Sequence, residues 1–417
     1  MAMLAVDFGT SNSAVGTCVD GAPRVLELET DKTTLPTALF FDYEDKAVIY
    51  GSFAEEAMFE GAWGRYMRAL KSLLGTSLIR ESNVFLGKRV TYIQIVARFL
   101  AEMKRRAEEQ TGQSFTHALS GRPVRFHDDP KRDAQALVDL TECYQIAGFE
   151  SVQFMNEPEA AARAHAGVLQ AGDLGLVIDI GGGTSDFTLF RSGKDGEIDI
   201  VQSEGLRLGG TDFDRLLSFE HVMPLMGRGT QIKHAFGKDT HIAPNGIFAD
   251  LATWQKIPFL YAPDTRRAAK DLLQYAVEPD KLKRLNRVLE DERGHDLAFA
   301  VEAAKIALNS RPLASVDIRL DALERGFQAP LYALALAHTL HASALQIAEM
   351  ATECTKQAGL ENDDVTHLIF VGGSSLMQVV QDAVIEAFPK AKPHNGAALT
   401  GIIEGLVQAT AVSPASS

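Results

Sequence analysis

The chain has 417 residues, of which 46% are hydrophobic and 23% charged, and this balance is typical of a folded globular protein and excludes a disordered one. The net charge of −14 disfavours nucleic acid and anionic membrane surfaces as partners. Three widely spaced cysteines fit a reducing compartment, no apolar stretch approaches the ~20 residues of a membrane span, and the N-terminus lacks a basic signal segment, so we expect a cytoplasmic protein.

The first pattern in the chain predicts a strand, a glycine-containing turn and a second strand. The apolar run 4–6 is followed by Asp7-Phe8-Gly9-Thr10-Ser11-Asn12 and then by the apolar stretch 14–19. A second copy occupies 176–190, where Asp179 ends an apolar run before Gly181-Gly182-Gly183-Thr184. The two Asp residues are 172 positions apart, too far for a solenoid repeat, so we expect a duplicated domain.

Other segments have the patterns of helices. Apolar residues at helical spacing predict a helix near 92–109, and Asn156-Glu157-Pro158 is a helix-start signal. The charged run 280–293 is interpreted as a solvated helical surface. A third glycine turn at 368–375 is followed by helical spacing, which predicts strand, turn and helix, and we expect the tail 412–417 to be disordered.

The two Asp-preceded turns favour a phosphate site. Glycine-rich turns let backbone N–H groups approach phosphate oxygens, and Mg²⁺ takes oxygen ligands, often one or two carboxylates with several waters. Asp7 and Asp179 are placed for that metal. A P-loop is excluded because its motif is missing, and a dinucleotide fold because a strand follows 181–183. One such turn alone would favour a hairpin without a ligand, but two copies reverse that preference.

Six motifs, from residue 4 to about 376, resemble the actin-like ATPase superfamily, and more closely the ATPase domain of DnaK-type heat-shock chaperones. They read VDFGTSNSAV (6–15, first turn), ALKSLLG (69–75), NEPEAAA (156–162), IDIGGGTSDF (178–187), LGGTDFD (208–214) and VGGSS (371–375). Within the superfamily, GRPVRF (121–126) and FEHVMPLMG (219–227) resemble the truncated YegD-like branch.

The resemblance implies residue roles. Asp7 and Asp179 would hold a hydrated Mg²⁺, Lys71 would reach the γ-phosphate, and Glu157 would position the attacking water. Thr184 would assist catalysis and, together with the turns, bind phosphate. The alternative for Lys71 is a solvent-exposed side chain, because a lysine on a helix is more often exposed. The cofactor would be ATP or ADP with Mg²⁺, bound by Gly9, Thr10, Ser11, Asn12, Gly181, Gly182, Gly183, Thr184, Gly209, Gly210, Glu302, Lys305, Asn309, Gly372, Gly373, Ser374 and Leu376.

The adenosine motif departs from the family. Glu302 and Lys305 fit the ribose-binding pair, but the two arginine positions that would clamp adenine hold Ile306 and Leu376, and Asn309 replaces a serine. Guanidinium stacking on an aromatic ring contributes about 0.5–2 kcal/mol each. Losing both arginines is expected to weaken ATP binding by roughly one to two orders of magnitude.

The resemblance also implies the fold: two α/β lobes, each a mixed sheet flanked by helices (a ribonuclease H-like core), around a nucleotide cleft. The expected division is a first lobe of 1–169 plus 396–417 (core 1–38, 113–169 and 396–412; extra subdomain 39–112) and a second of 170–395 (core 170–219 and 331–395; extra subdomain 220–330). We expect no peptide-binding domain in the residues that remain.

Four functions stay open at the level of sequence. The first is a slow, Mg-dependent, chaperone-like ATPase that switches by lobe closure. It would act as a monomer and signal to an unidentified protein partner. The second is a small-molecule kinase, and the third a filament protein of the same superfamily. The fourth is a scaffold pseudo-ATPase that binds nucleotide poorly, which Ile306 and Leu376 favour.

Overall fold

The computed structural model of the protein describes residues 2–19, 21–194, 197–234, 239–395 and 400–412. The chain separates into two compact units, Met1–Gly210 with Ala344–Ser417 (unit 1) and Thr211–Ser343 (unit 2). The lobe boundaries expected from the sequence stay a prediction. The return point at 396 and the tail from 413 onward lie outside the described residues.

The described residues form twenty strands and twelve α-helices. The strands are β1 (Met3–Phe8), β2 (Asn12–Val19), β3 (Ala22–Val25), β4 (Thr34–Pro36), β5 (Ala38–Asp42), β6 (Ala47–Tyr50), β7 (Gly64–Arg68), β8 (Ser82–Phe85), β9 (Lys88–Thr91), β10 (His117–Arg122), β11 (Ser151–Asn156), β12 (Leu174–Ile180), β13 (Ser185–Ser192), β14 (Ile198–Leu206), β15 (Gln231–Lys233), β16 (Thr240–Ile242), β17 (Ser315–Arg319), β18 (Gln328–Tyr332), β19 (His367–Val371) and β20 (Lys392–Asn395). The helices are α1 (Ser52–Phe59), α2 (Tyr92–Thr111), α3 (Pro130–Ile146), α4 (Glu157–His165), α5 (Gly210–Leu217), α6 (Gly246–Leu251), α7 (Pro263–Gln274), α8 (Pro279–Glu290), α9 (Gly294–Ser310), α10 (Ala333–Gln357), α11 (Gln378–Ala387) and α12 (Gly401–Val412).

Unit 1 contains two mixed sheets with the same topology. In the first, the order is β11-β10-β1-β2-β3, with β1 parallel to β10 and antiparallel to β2. In the second, the order is β20-β19-β12-β13-β14, with β12 parallel to β19 and antiparallel to β13. The strands β1 and β12 therefore occupy equivalent places, which confirms the predicted duplication and both strand–turn–strand segments.

The short helix α4 connects the cores of the two sheets. Ala160 packs with Ala5, Leu119 and Leu406 in the hydrophobic cluster of the first sheet. The next two residues, Ala161 and Ala162, pack in the cluster of the second sheet. Alanine side chains let the helix lie close to both, because their small volume leaves room for neighbouring backbone. The helix begins at Glu157, as predicted, with Pro158 in its first turn.

The remainder of unit 1 carries helices and smaller sheets. The predicted helix near 92–109 is α2, which starts at a Thr91–Gln94 capping box and ends at Gly112, where φ is +67°. The strands β6-β5-β7 form a three-stranded sheet, and β8 with β9 a hairpin. The third predicted glycine segment is β19, a 3₁₀ turn and α11, as expected.

Unit 2 is mainly helical. The charged run predicted as a solvated surface is α8, and that interpretation describes only one of its faces. Its charged side chains alternate with Leu282, Leu285, Val288 and Leu289, which are buried, so α8 is amphipathic and contributes to the core of unit 2. Within the described segments of both units, no helix combines the length and apolar character needed to cross a bilayer.

Candidate phosphate-binding site

The first turn lies between β1 and β2. Asp7 is buried near the end of β1 and pairs across the hairpin with Ala14. Ser11 accepts a backbone hydrogen bond from Thr37 N at 2.9 Å, and the Thr37 side chain bonds to the Ser13 hydroxyl at 2.7 Å. These bonds fix the turn, in which Thr10 is buried while Asn12 is exposed.

The second turn lies between β12 and β13, at the equivalent place in the second sheet. Asp179 is 2% exposed and pairs across the hairpin with Asp186. Gly181 N donates to Thr184 O at 3.0 Å, which closes the turn. The Ser185 hydroxyl donates to Leu208 O at 2.7 Å and ties the turn to the segment before α5.

The two turns contact each other. A Cβ placed on Gly182 would lie 2.6 Å from Ser11 Oγ and 3.0 Å from Thr10 Cβ, and one on Gly183 would lie 3.1 Å from Thr10 Oγ1. Any larger residue would therefore force the turns apart. Two sets of turn N–H groups and hydroxyls are thereby brought to one place, as phosphate binding requires.

Two further glycine segments, 209–210 and 372–373, lie beside the second turn and Asp179. A Cβ on Gly209 would lie 2.6 Å from Gly183 N, and Gly210 N donates to Gly181 O at 3.0 Å. Gly372 has φ +80°, and a Cβ there would lie 2.8 Å from Asp179 Oδ1. A Cβ on Gly210 would meet Ser374, so the motif at 371–375 also reaches this place. Gly373 and Leu376 are exposed, Leu376 by 42%.

Lys71 is buried, which excludes the alternative of a solvent-exposed side chain. It lies in a single 3₁₀ turn that follows Ala69, whose φ of 59° is left-handed. Its Nζ donates to Glu157 Oε1 at 2.7 Å, and both side chains are 8% exposed. Burial lowers the pKa of Lys71, but the charge and hydrogen bond of Glu157 outweigh burial and leave that pKa above its ordinary value. The amine is therefore a permanent cation at neutral pH.

Carboxylates outnumber cations among the buried charges at this place. Burial, reinforced by the charge of Glu157, raises the pKa of Asp7 to about 7. The same two causes raise the pKa of Asp186 to about 8 and that of Asp179 well above its ordinary value. Low-dielectric surroundings disfavour the charged form of each carboxyl group. A further positive charge would remove this penalty, so the cluster suits a divalent cation.

The donor set fits a hydrated Mg²⁺. Asp179 Oδ1 is buried and has no hydrogen-bond partner within the described residues. Across the segments that the structure describes, no three His, Cys, Asp or Glu side chains are grouped so that they could hold a metal ion directly. Mg²⁺ commonly binds through one or two carboxylates and keeps several waters. Asp7 and Asp179 are the carboxylates that would hold it, and it would supply positive charge to phosphate oxygens.

The motif at 178–187 contains Asp186, to which no role was assigned from the sequence. Its Oδ1 accepts from Val124 N at 2.6 Å, which connects the loop after β10 to the second hairpin. Ser72, His127 and Arg207 were also missed, and they line a pocket together with Lys71. His127 directly follows the segment 121–126, and Arg207 directly precedes the motif at 208–214. This proximity is the only signal in the sequence for either residue.

Three of the predicted adenosine residues, Glu302, Lys305 and Asn309, lie on α9 in unit 2. Lys305 is buried, and its Nζ is 2.7 Å from Asp214 Oδ1, while Trp254 Nε1 donates to Asp214 Oδ2 at 3.1 Å. Burial raises the pKa of Asp214, although Lys305 opposes this. Glu302 and Asn309 lie on the same helix and are partly exposed. Their role at a ribose stays a prediction.

Duplicated mixed sheets, joined by a buried alanine-rich helix and bearing two touching Asp-preceded turns, define the actin-like ATPase fold, and the expected fold class is confirmed. Residues 3–238, more than half of the chain, match the family described as Hsp70 protein. The chain therefore belongs to the Hsp70 family.

A curated relative covers a similar part of the chain. The chain is 33% identical over 222 residues to the chaperone protein DnaK of Endomicrobium trichonymphae. The alignment covers 52% of this chain and 34% of that chaperone. The chain therefore spans about a third of the length of that relative.

Proposed function

We propose that the chain binds ATP with Mg²⁺ and hydrolyses it slowly to ADP and phosphate. The observation that carries this proposal is the contact between two Asp-preceded turns, with the buried Lys71–Glu157 pair in the same unit. Turn N–H groups, hydroxyls and a cation suit a polyphosphate, and phosphoryl transfer depends mainly on positioning and charge stabilisation.

Each residue of the site has a proposed role that follows from its chemistry. Thr10, Gly182 and Thr184 would hold phosphate oxygens, and Lys71 would stabilise charge on the γ-phosphate. In the reaction, a water oxygen forms a bond to the γ-phosphorus while the bond from that phosphorus to the β–γ bridging oxygen breaks. ADP leaves with the electron pair, and Glu157 orients the water. The proton that the attacking water loses passes to solvent, and Asp7 and Asp179 would hold the Mg²⁺.

The finer assignments belong to the same proposal. We propose a YegD-like subtype, acting as a cytoplasmic monomer, in which nucleotide turnover is coupled to closure of the two predicted lobes and is sensed by a protein partner. Buried, unpaired thiols at Cys143 and Cys354 support a reducing compartment. Ile306 is 54% exposed, and an apolar residue there supports weak adenine packing instead of a guanidinium clamp.

Lys71→Met tests the catalytic part of the proposal. It keeps the side-chain stem but removes the cation, and we expect ATP hydrolysis to slow by about 10²-fold or more, the usual scale for losing one charge-stabilising donor. Hydrolysis is measured as phosphate released at saturating ATP. Because the change leaves Glu157 buried without its amine, thermal unfolding of Lys71→Met is the control that the variant stays folded. If the folded Lys71→Met hydrolyses ATP like the wild type, the amine has only a structural role and the assignment is wrong.

A further inference from the structure

The segment 69–75, which carries Lys71, ends against α3. Its 3₁₀ turn is closed by its own backbone, with Leu74 N donating to Lys71 O at 3.2 Å. Gly75 has φ +70°, and a Cβ placed on it would lie 2.3 Å from Arg132 O in the first turn of α3. The backbone at Gly75 therefore lies directly against the helix, without room for a side chain.

Asp139 holds this end of the segment from the middle of α3. Its side chain is fully buried, and its Oδ2 accepts from Gly75 N at 2.9 Å. Its Oδ1 accepts from Gln135 Nε2 at 2.8 Å and from Arg80 Nη2, so the carboxylate is paired with a cation. A hydrogen bond to an ionised group is stronger than one between neutral groups. The bond to Gly75 N is therefore a strong attachment of the segment to the helix.

His127 holds the preceding residue of the segment. Its ring is 3% exposed, and its Nε2 lies 2.6 Å from Leu74 O, which is an acceptor, so the proton is on Nε2. The first turn of α3 fixes His127, because Asp133 Oδ1 accepts from Phe126 N at 2.6 Å and from His127 N at 3.3 Å. Two successive backbone groups, Leu74 O and Gly75 N, are therefore attached to one helix or to the loop that it holds.

The helix that provides these contacts is itself fixed in the core of unit 1. Tyr144, near the end of α3, is fully buried and donates its hydroxyl hydrogen to Ser120 Oγ in β10 at 2.7 Å. A group that is held on a rigid element positions its partner more precisely than one on a loop. The contacts at Leu74 and Gly75 thus fix the segment three and four residues after Lys71.

We propose that Asp139 is a positioning residue for Lys71 and acts through its bond to Gly75 N. Without this bond, the end of the segment that carries Lys71 would loosen, and the amine would be held less tightly beside Glu157. A displacement of about 1 Å in a group that acts on the substrate can cost on the order of 10²-fold in rate. The effect on hydrolysis rests on the proposed function, whereas the attachment of the segment does not.

The first test is a double-mutant cycle on ATP hydrolysis, measured as phosphate released at saturating ATP. We expect Asp139→Ala to slow hydrolysis about tenfold, because the amine is displaced. Its affinity for ADP, which lacks the γ-phosphate, is expected to change little. In Lys71→Met, the same change should slow hydrolysis by less than about twofold, since the group through which it acts is gone. An equal loss in both backgrounds would show that Asp139 acts on the fold in general and would overturn the proposal.

Glu142→Ala is the matched control. Glu142 lies one turn further along α3 and also binds Arg80, at 2.6 Å, but among the described residues it makes no bond to the segment 69–75. It is expected to hydrolyse ATP like the wild type. Asp139→Asn keeps an oxygen that can accept from Gly75 N, so it should recover most of the rate. Asp139→Leu, which has a similar volume and no acceptor, replaces the alanine variant if the latter unfolds.

Amide hydrogen exchange at Gly75 tests the attachment without any activity. We expect exchange there to be about tenfold faster or more in Asp139→Ala, because its N–H loses its acceptor and the segment opens more often, and unchanged in Glu142→Ala. Unchanged exchange in Asp139→Ala would overturn the proposal while ATP hydrolysis by the wild type stands. If the wild type hydrolyses no ATP, the proposed function fails, and the exchange still decides whether Asp139 holds the segment.

Discussion

At the scale of single residues, the site is defined by buried charges that do not balance. Among the described residues, Asp7, Asp179, Asp186 and Glu157 are buried close to one buried amine, that of Lys71. A buried charge costs several kcal/mol unless it is paired. The pKa values of the three aspartates are raised for this reason, so the cluster destabilises the unliganded protein and favours a bound cation.

This imbalance predicts a pH dependence of stability. The folded pKa of Asp7 is about 7, against an ordinary 3.8, so between these values the folded protein keeps a proton that the unfolded chain releases. Raising the pH through this window therefore destabilises the fold, by at most about 1.4 kcal/mol per pH unit for one group. We expect the unfolding midpoint of the unliganded wild type to fall more steeply from pH 5 to pH 7 than that of Asp7→Asn.

Asp42→Asn is the control for that comparison. Asp42 is also buried, but it caps a turn by accepting from Glu44 N and Asp45 N, an arrangement that asparagine can keep. It should follow the pH dependence of the wild type. Equal slopes for the wild type and Asp7→Asn would contradict the raised pKa.

At the scale of elements, the site depends on the close approach of glycine turns. Gly209→Ala would place a Cβ 2.6 Å from Gly183 N, which is backbone and cannot move away cheaply. We expect a loss of about 1–3 kcal/mol of stability, as for other overpacked positions, and nucleotide affinity at least tenfold weaker. Gly167→Ala is the matched control, because no atom lies within 4 Å of its added Cβ. Thermal unfolding and nucleotide titration of both variants measure the difference, and equal behaviour would exclude the turn contact as a requirement.

The sequence predicted the elements better than the contacts between them. The alternation of apolar residues and the glycine turns were enough for β1, β2, β12 and β13, because these patterns are local. The burial of Lys71 was not predictable, because it depends on a left-handed turn at Ala69 and on a partner 86 residues away. The pocket that Lys71 lines was equally unpredictable, since its walls come from five separate segments.

At the scale of the whole molecule, duplication explains why two turns meet. Asp7 and Asp179 occupy the same register in two sheets of identical topology, with Ala14 and Asp186 opposite them. The alanine run of α4 packs into both sheets and carries Glu157 at its first position. One symmetric arrangement thereby brings two phosphate turns and one carboxylate to a common site. The predicted ribose-binding residues Glu302 and Lys305 lie in unit 2, and their part in binding stays a prediction.

Calorimetric titration with ATP and ADP in Mg²⁺ tests the central claim most directly. We predict that the wild type binds both nucleotides and that Asp179→Asn weakens this binding at least tenfold, because the neutral amide removes the negative charge that attracts the metal. We expect that Asp42→Asn does not weaken it. Ten-fold corresponds to about 1.4 kcal/mol. No binding by the wild type at millimolar nucleotide, or equal affinity in Asp179→Asn, would contradict the account and favour a scaffold without nucleotide.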